Sequence, residues 1–416
     1  MKWIRPSEIR GRLQAPPSKS LMIRATASAL LGRGESRIKN PSRCDDALAG
    51  LRIVRALGAH VENAVDAVVI SGGAGPVSDV LDCGESGLCM RMFTPIAALS
   101  GRETLITGDG SLTTRPMRMM ENPLRDMGVR FRSADGHAPL MIQGPIQTGN
   151  VRIDGSLSSQ FLSGLLTALP LFHQNSEVRV DNLRSRPYAE MTVEVLSRFG
   201  VAVDADPDRR VFRIPGGQSY RSTIFAVEGD WSGAAFLLAA AAICGEVTVD
   251  NLREDSLQAD RRVLEALRSS GALVTIAGDS VTVRRSDPKT FDFDATDCPD
   301  LFPPLAALAL SCPGTCRIYG AGRLRHKESD RASALIKELS GLGADIALRN
   351  DWLEIVGPAR IGTGTVNSHG DHRIAMAGAL AGLVSGRGVG VVGPECVAKS
   401  YPGFFEDLRS LGGDVS

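Results

Sequence analysis

The 416-residue sequence has no excess of either charge, since lysine plus arginine and aspartate plus glutamate both number 47. A nucleic-acid-binding chain normally carries a basic surplus, so no nucleic-acid partner is expected, although a local basic pocket stays possible. It also lacks paired cysteines. Cys44, Cys83, Cys89, Cys244, Cys298, Cys312, Cys316 and Cys396 form no Cys-x-x-Cys pair and no ligand spacing with histidine, so no metal site is expected. Long apolar runs are missing too. The longest, Ala234–Cys244, is about half of a bilayer span and reads as a buried helix, so no membrane partner is expected. The opening MKWIRPSEIRG has no apolar core of a secretory signal, and reduced cysteines in a cytoplasmic protein are the expectation.

Apolar residues make up 43% of the chain and charged residues 23%, the balance of a globular protein. The length exceeds what one core usually sustains, which points to two domains. A phrase recurs along the chain, a helix-like run closed by glycine and followed by strand-like residues. It falls at Gly58, Gly128, Gly200, Gly271, Gly343 and Gly412, spaced by subtraction at 70, 72, 71, 72 and 69 residues. Even spacing of this kind marks a repeated supersecondary unit. The glycine is read as a left-handed helix C-cap, with the strand beginning just beyond it. Six units imply three per domain, with a crossing near Gly229-Asp230.

Apolar helices also begin just after small polar clusters, at Pro17–Ser20, Gly84–Gly87, Gly155–Gln160, Cys298–Asp300, Lys327–Arg331 and His369–Arg373. Serine and aspartate there are ordinary N-caps. The cations in or beside these starts are not: Lys19, Arg24, Arg91, Arg115, Lys327, Arg331, Arg373 and Lys399. A helix N-terminus already favours anions, so a cation placed there suggests an anionic ligand held between them. Arginine suits phosphate and carboxylate through its planar fork. So many cations imply two anionic ligands, or one with several charges.

In order and spacing, PPSKSLMIR, TTRPM, GSLSSQF, SRPY, CPDLFP, RHKESDR, GDHRIAM and CVAKSYP resemble the motifs of the 5-enolpyruvylshikimate-3-phosphate synthase family from about Ala15 to Phe405. The resemblance implies an α/β fold, the two-domain enolpyruvyl transferase fold. It has six βαβαββ-type repeats, three per domain, in an inside-out α/β barrel. The first domain would span residues 17–228 and the second 1–16 plus 229–416, with the active site in the interdomain cleft. The implied reaction moves the enolpyruvyl group of phosphoenolpyruvate to the 5-hydroxyl of shikimate 3-phosphate and releases phosphate, without metal or organic cofactor. A monomer is expected.

Carried over residue by residue, the resemblance gives Lys19 to both ligands and makes Lys19, Asp300 and Glu328 the catalytic set. Asp300 would be the general base and Glu328 the proton donor, with a raised pKa. Ser20, Arg24, Ser158, Ser159, Ser185 and Lys327 fall to the shikimate phosphate. Gln160 falls at the junction of the two ligands. Arg115, Arg331, Arg373 and Lys399 fall to phosphoenolpyruvate, with Gly87 abutting that pocket. The sequence departs from the family pattern at Glu85–Arg91, where Glu85 replaces asparagine and Leu88 threonine while Gly87 and Arg91 stay. A proline replaces glycine in PPSKS, and Arg323 stands where some members have asparagine.

UDP-N-acetylglucosamine enolpyruvyl transferase is the main rival, but its loop cysteine before Arg-Pro is missing from TGDGSLTTRP. A homologue acting on another carbocyclic acceptor is a further alternative. A non-catalytic phosphate sensor would be expected to lack Asp300 or Glu328. With ligands drawn from both halves, acceptor binding is expected to close an open form. The radius of gyration from small-angle scattering should therefore fall on adding shikimate 3-phosphate; equal values with and without it would contradict closure.

Overall fold

The computed structural model describes residues 1–73 and 75–416, which divide into two compact units, Pro17–Val227 and Met1–Pro16 with Glu228–Ser416. Each unit contains three four-stranded sheets, and Pro17–Val227 adds a short two-stranded pair.

In Pro17–Val227 the helices are α1 (Lys19–Leu31), α2 (Asp45–Ala56), α3 (Gly87–Ala97), α4 (Glu121–Asp126), α5 (Gln160–Ala168) and α6 (Arg186–Arg198). One motif recurs: a strand, a helix, a parallel strand, a second helix and an antiparallel hairpin. Val80–Asp82 pairs parallel with Glu103–Thr107, which pairs antiparallel with His137–Gln143, itself flanked by Arg130–Ala134. Val151–Asp154, Ser176–Asp181, Val211–Ile214 and Asp204–Ala205 repeat the order. In the third sheet the leading strand, Ile224–Ala226, comes from the far end of the segment and pairs parallel with Glu35–Lys39. A parallel pair needs a helical crossover, which is why α3 and α5 each lie between two strands that pair.

The other unit holds α7 (Trp231–Cys244), α8 (Val263–Ser269), α9 (Phe302–Ala309), α10 (Arg331–Gly341), α11 (His372–Leu383) and α12 (Phe404–Ser410). Its sheets have the same order, and two of them recruit the N-terminus. Ile9–Gln14 pairs parallel with Gly245–Asp250, and Lys2–Arg5 lies between Val389–Val392 and Asp414–Val415. Residues 1–16 therefore belong to this unit through strand pairing. Glu228, expected at the end of the first domain, also groups here. Its carboxylate accepts hydrogen bonds from Ser256 Oγ (2.5 Å) and Gln258 Nε2 (2.8 Å), which fix it to the loop before α8.

The helices fall into two kinds. Every residue of α3 and α11 is buried, and α7, the long apolar run of the sequence, is buried except at Ser232 and Ala242. A helix that is apolar all round belongs inside. By contrast α2, α6 and α10 carry polar outer faces. Strands such as Glu35–Lys39 alternate, with Ser36 and Ile38 buried and their neighbours exposed. Helices inside and sheets outside match the inside-out order of layers. The sheets stay separate, however, and do not join into a closed barrel among the described residues. All eight cysteines are unpaired, seven of them buried, and no helix of the described residues is long and apolar enough to cross a membrane.

The six repeat glycines all have left-handed backbones, with φ between +79° and +100°. Gly58 and Gly343 share a φ of +96° but differ in surroundings. A Cβ on Gly58 would lie 2.0 Å from the Gly75 carbonyl oxygen, whereas one on Gly343 would lie 3.3 Å from the Arg360 carbonyl oxygen. Gly343→Ala should destabilise by about 1–2 kcal/mol from the left-handed backbone alone. Gly58→Ala should be clearly worse, because backbone must move as well. Denaturant midpoints check this, and equal shifts would contradict it.

Candidate functional site

In Pro17–Val227 the expected residues gather at helix starts. Lys19 is the first residue of α1, and its Nζ donates to Asp46 Oδ2 at 2.7 Å in the first turn of α2. A cation is unfavourable at a helix N-terminus, and Asp46 offsets it. Arg24, one turn into α1, is 1% exposed. Its Nε donates to Thr192 Oγ1 (2.8 Å), its Nη1 to the Ser20 carbonyl (2.9 Å) and its Nη2 to Ser163 Oγ (3.1 Å) and the Tyr188 carbonyl (3.3 Å). Burial lowers its pKa to about 10, so it stays charged at neutral pH. Arg24 thus ties α1 to α5 and α6 and fixes the backbone at Ser20.

At the start of α3, Ser86 caps the helix by accepting from Cys89 N (3.3 Å). The next residue is Gly87, where a Cβ would fall 2.5 Å from Arg115 Nη1. Only a residue without a side chain lets the guanidinium lie against the helix start. Arg115 follows the 3₁₀ turn Gly110–Thr114 and is 6% exposed. Glu85 Oε2 holds that turn, accepting from Ser111 N (3.0 Å) and Ser111 Oγ (3.2 Å). The departure from the family asparagine therefore has a local purpose, bracing the turn that leads to Arg115.

Arg91, on α3, donates from Nη1 to Gln160 Oε1 (2.8 Å) and from Nη2 to the Pro116 carbonyl (3.1 Å). With its oxygen engaged, the Gln160 amide has N–H groups to offer a ligand. Gln160 opens α5, and its backbone N donates to Ser158 Oγ (3.2 Å). Ser159 is buried just before it, and Ser185 precedes α6 with a left-handed φ of +56°.

In the other unit the residues converge on Arg331, the first residue of α10 and 1% exposed. Its Nη1 donates to Asp300 Oδ1 (2.6 Å), its Nη2 to Glu328 Oε2 (2.6 Å) and its Nε to Asp371 Oδ2 (2.8 Å). Asp300 also receives Lys327 Nζ (3.3 Å) and lies 3.2 Å from Arg373 Nη2. Burial would raise the Asp300 carboxyl, but Arg373, Lys327 and Arg331 hold it well below the usual carboxylate range, so it is ionised. Burial lowers the Lys327 ammonium to about pKa 8, against the pull of Asp300. Burial also opposes the Arg331 charge, yet Asp371, Glu328 and Asp300 keep it protonated. Lys399 Nζ donates to the Gly370 carbonyl at 2.6 Å.

Of the eight cations read from the sequence, Lys19, Lys327, Arg331 and Arg373 are thus paired with carboxylates. Asp46 and Asp371 were not among the expected site residues, yet each holds one of the expected cations. Asp371 is fully buried and caps α11 by accepting from Arg373 N (2.9 Å). Asp260, also fully buried, accepts from Ser232 Oγ, and burial with the nearby Asp300 charge raises its carboxyl. The available signal was position, since Asp46 and Asp371 sit in helix starts beside polar clusters. Asp260 carries no such signal.

The sequence model of the EPSP synthase family (3-phosphoshikimate 1-carboxyvinyltransferase) matches residues 4–408. A 3-phosphoshikimate 1-carboxyvinyltransferase of Methanocorpusculum labreanum is 41% identical over 414 residues, covering 98% of both chains. One from Aeropyrum pernix is 41% identical over 424 residues, covering 100% of this chain and 98% of its own. The solved EPSP synthase of Acinetobacter baumannii superposes with a TM-score of 0.83 at 28% identity, covering 100% of this chain and 99% of its own. The enolpyruvyl transferase NikO of Streptomyces tendae shares the fold, with a TM-score of 0.81 at 19% identity over 100% of this chain and 98% of its own. With that match over nearly the whole chain, and relatives of this identity at nearly full coverage, the protein belongs to the EPSP synthase family.

Proposed function

We propose that this enzyme transfers the enolpyruvyl group of phosphoenolpyruvate to the 5-hydroxyl of shikimate 3-phosphate, releasing phosphate. The observation that carries the reading is Asp300, a carboxylate kept ionised among Arg331, Lys327 and Arg373. A base set among anion-binding cations suits attack by a hydroxyl on an electrophilic carbon of an anionic substrate.

In the addition step the 5-hydroxyl oxygen bonds to C2 of phosphoenolpyruvate while C3 gains a proton. Elimination then removes a proton from C3, reforms the double bond and breaks the bond from C2 to the phosphate oxygen. Atoms and charge balance without metal or cofactor. Asp300 takes the hydroxyl proton, and Glu328, on the same arginine fork, supplies the proton to C3 when it is itself protonated and takes one back from C3 in elimination, with Lys19 as the third catalytic group. Lys19 stands between the ligands. Ser20, Ser158, Ser159, Ser185 and Lys327 hold the shikimate phosphate, with Arg24 fixing the Ser20 backbone behind them. Arg115, Arg331, Arg373 and Lys399 hold phosphoenolpyruvate, Gly87 leaves room for Arg115, and Gln160 meets both ligands. Since one chain supplies every group, a monomer suffices, and its eight unpaired cysteines suit the reducing cytoplasm.

Mixing the enzyme with shikimate 3-phosphate and phosphoenolpyruvate should release phosphate, and UDP-N-acetylglucosamine in place of the acceptor should not. The reverse preference would transfer the reading to the UDP-sugar enzyme. Lys327 gives a pH signature. Its ammonium binds phosphate below about pH 8 and loses its charge above, so kcat/KM for shikimate 3-phosphate should fall on the alkaline side. In Lys327→Arg the group stays charged across that range, and the alkaline fall should disappear. An unchanged fall in the variant would remove Lys327 from the phosphate site.

A further inference from the structure

Helix α10 enters the site through Arg331, but a second buried charge lies two turns along the same helix. Glu338 is 8% exposed, and the reaction gives it no task. Burying a carboxylate without compensation is unfavourable, so its partners are informative. Both belong to one turn, residues 367–371, which joins the strand Gly364–Asn367 to α11. Glu338 Oε2 accepts from Asn367 N at 2.7 Å, and Glu338 Oε1 lies 2.7 Å from His369 Nε2.

The turn is unusual in its backbone. His369 has φ +52° and Gly370 φ +66°, so two consecutive residues are left-handed. A non-glycine residue there is strained by roughly 1–2 kcal/mol and persists where its surroundings hold it. Further bonds close the turn. His369 N donates to Asn367 Oδ1 (2.8 Å), Gly370 N to Ser368 Oγ (3.3 Å) and Asp371 N to the Ser368 carbonyl (2.8 Å).

This geometry aims two groups that matter. The Gly370 carbonyl receives Lys399 Nζ at 2.6 Å, and the Asp371 carboxylate receives Arg331 Nε at 2.8 Å and Ser329 Oγ at 3.0 Å. Helix α10 therefore grips the turn at two points, Arg331 on Asp371 and Glu338 on Asn367 and His369. We propose that the His369–Glu338 pair is a positioning device that sets the left-handed turn and thereby places Lys399 and Arg331 for the carboxylate and phosphate of phosphoenolpyruvate. The proposal rests on the functional reading above and adds two residues to it. Neither is among the residues assigned to a substrate.

The test separates strain from the side-chain bond. His369→Asn keeps a residue that tolerates left-handed backbone but is too short to reach Glu338. His369→Gln can still donate to the carboxylate. KM for phosphoenolpyruvate should rise about tenfold in His369→Asn and in Glu338→Ala, with KM for shikimate 3-phosphate changed less than about twofold. His369→Gln should recover most of the loss. An unchanged KM for phosphoenolpyruvate in His369→Asn, or equal rises for both substrates, would overturn the proposal, even if the melting temperature falls. His369 is partly exposed, so its variants give the answer should Glu338→Ala fail to fold. Wild-type enzyme run in parallel keeps the two claims apart. No wild-type turnover would sink the functional reading, whereas turnover with an unmoved KM in the variants would sink only the positioning role.

Discussion

The guanidinium of Arg331 is bonded on three sides by Asp300, Glu328 and Asp371 and almost wholly removed from water. A buried cation must be matched, and a planar fork matches several carboxylates in fixed directions where an ammonium could not. One group consequently sets the angle of the proposed base, the proposed acid and the N-cap of α11. Removing it would leave three carboxylates facing one another. Lys327 and Arg373 then act on a charge already fixed in place, and their attraction keeps Asp300 ionised despite its burial.

The repeat explains how such a network is assembled. Every unit delivers a first helix from a parallel strand and a second helix into a glycine cap. Helix starts are therefore presented at equivalent places, six times over. Sequence variation at those starts supplies Lys19 on α1, the Gly87 turn on α3, Gln160 on α5, Arg331 on α10 and the Asp371 cap on α11. The fold repeats while the chemistry does not. Glycine serves the repeat through its backbone and serves the site differently at Gly87, where the missing side chain admits the Arg115 guanidinium.

Carboxylates are where sequence and structure part. Cations at helix starts stand out in a sequence because they contradict the helix dipole. Asp46 and Asp371 do not, since an acid in a first turn or at an N-cap is what any helix favours. Glu338 looks like an ordinary member of a polar helix face, yet it is turned inward onto a turn some thirty residues away. Glu85 drew attention as a departure, but its bonds to Ser111 could be found only by folding the two turns together. Arg24, a ligand by its motif, also donates to Thr192, Ser163 and two carbonyls, partners that only the fold supplies.

The sequence by itself determined the number of repeats, the glycine caps, the largely apolar helices and the motif residues that mark the family. Those features depend on neighbours within a few positions, on hydrophobic period and on backbone sterics, which a linear chain displays directly. Tertiary structure decided which acid meets which cation, and so which carboxylate is ionised. It also decided which strands residues 1–16 pair with, and that α10 holds the turn before α11 at two points. Burial and partner distance settle charge, and neither exists until residues far apart in the chain are brought together.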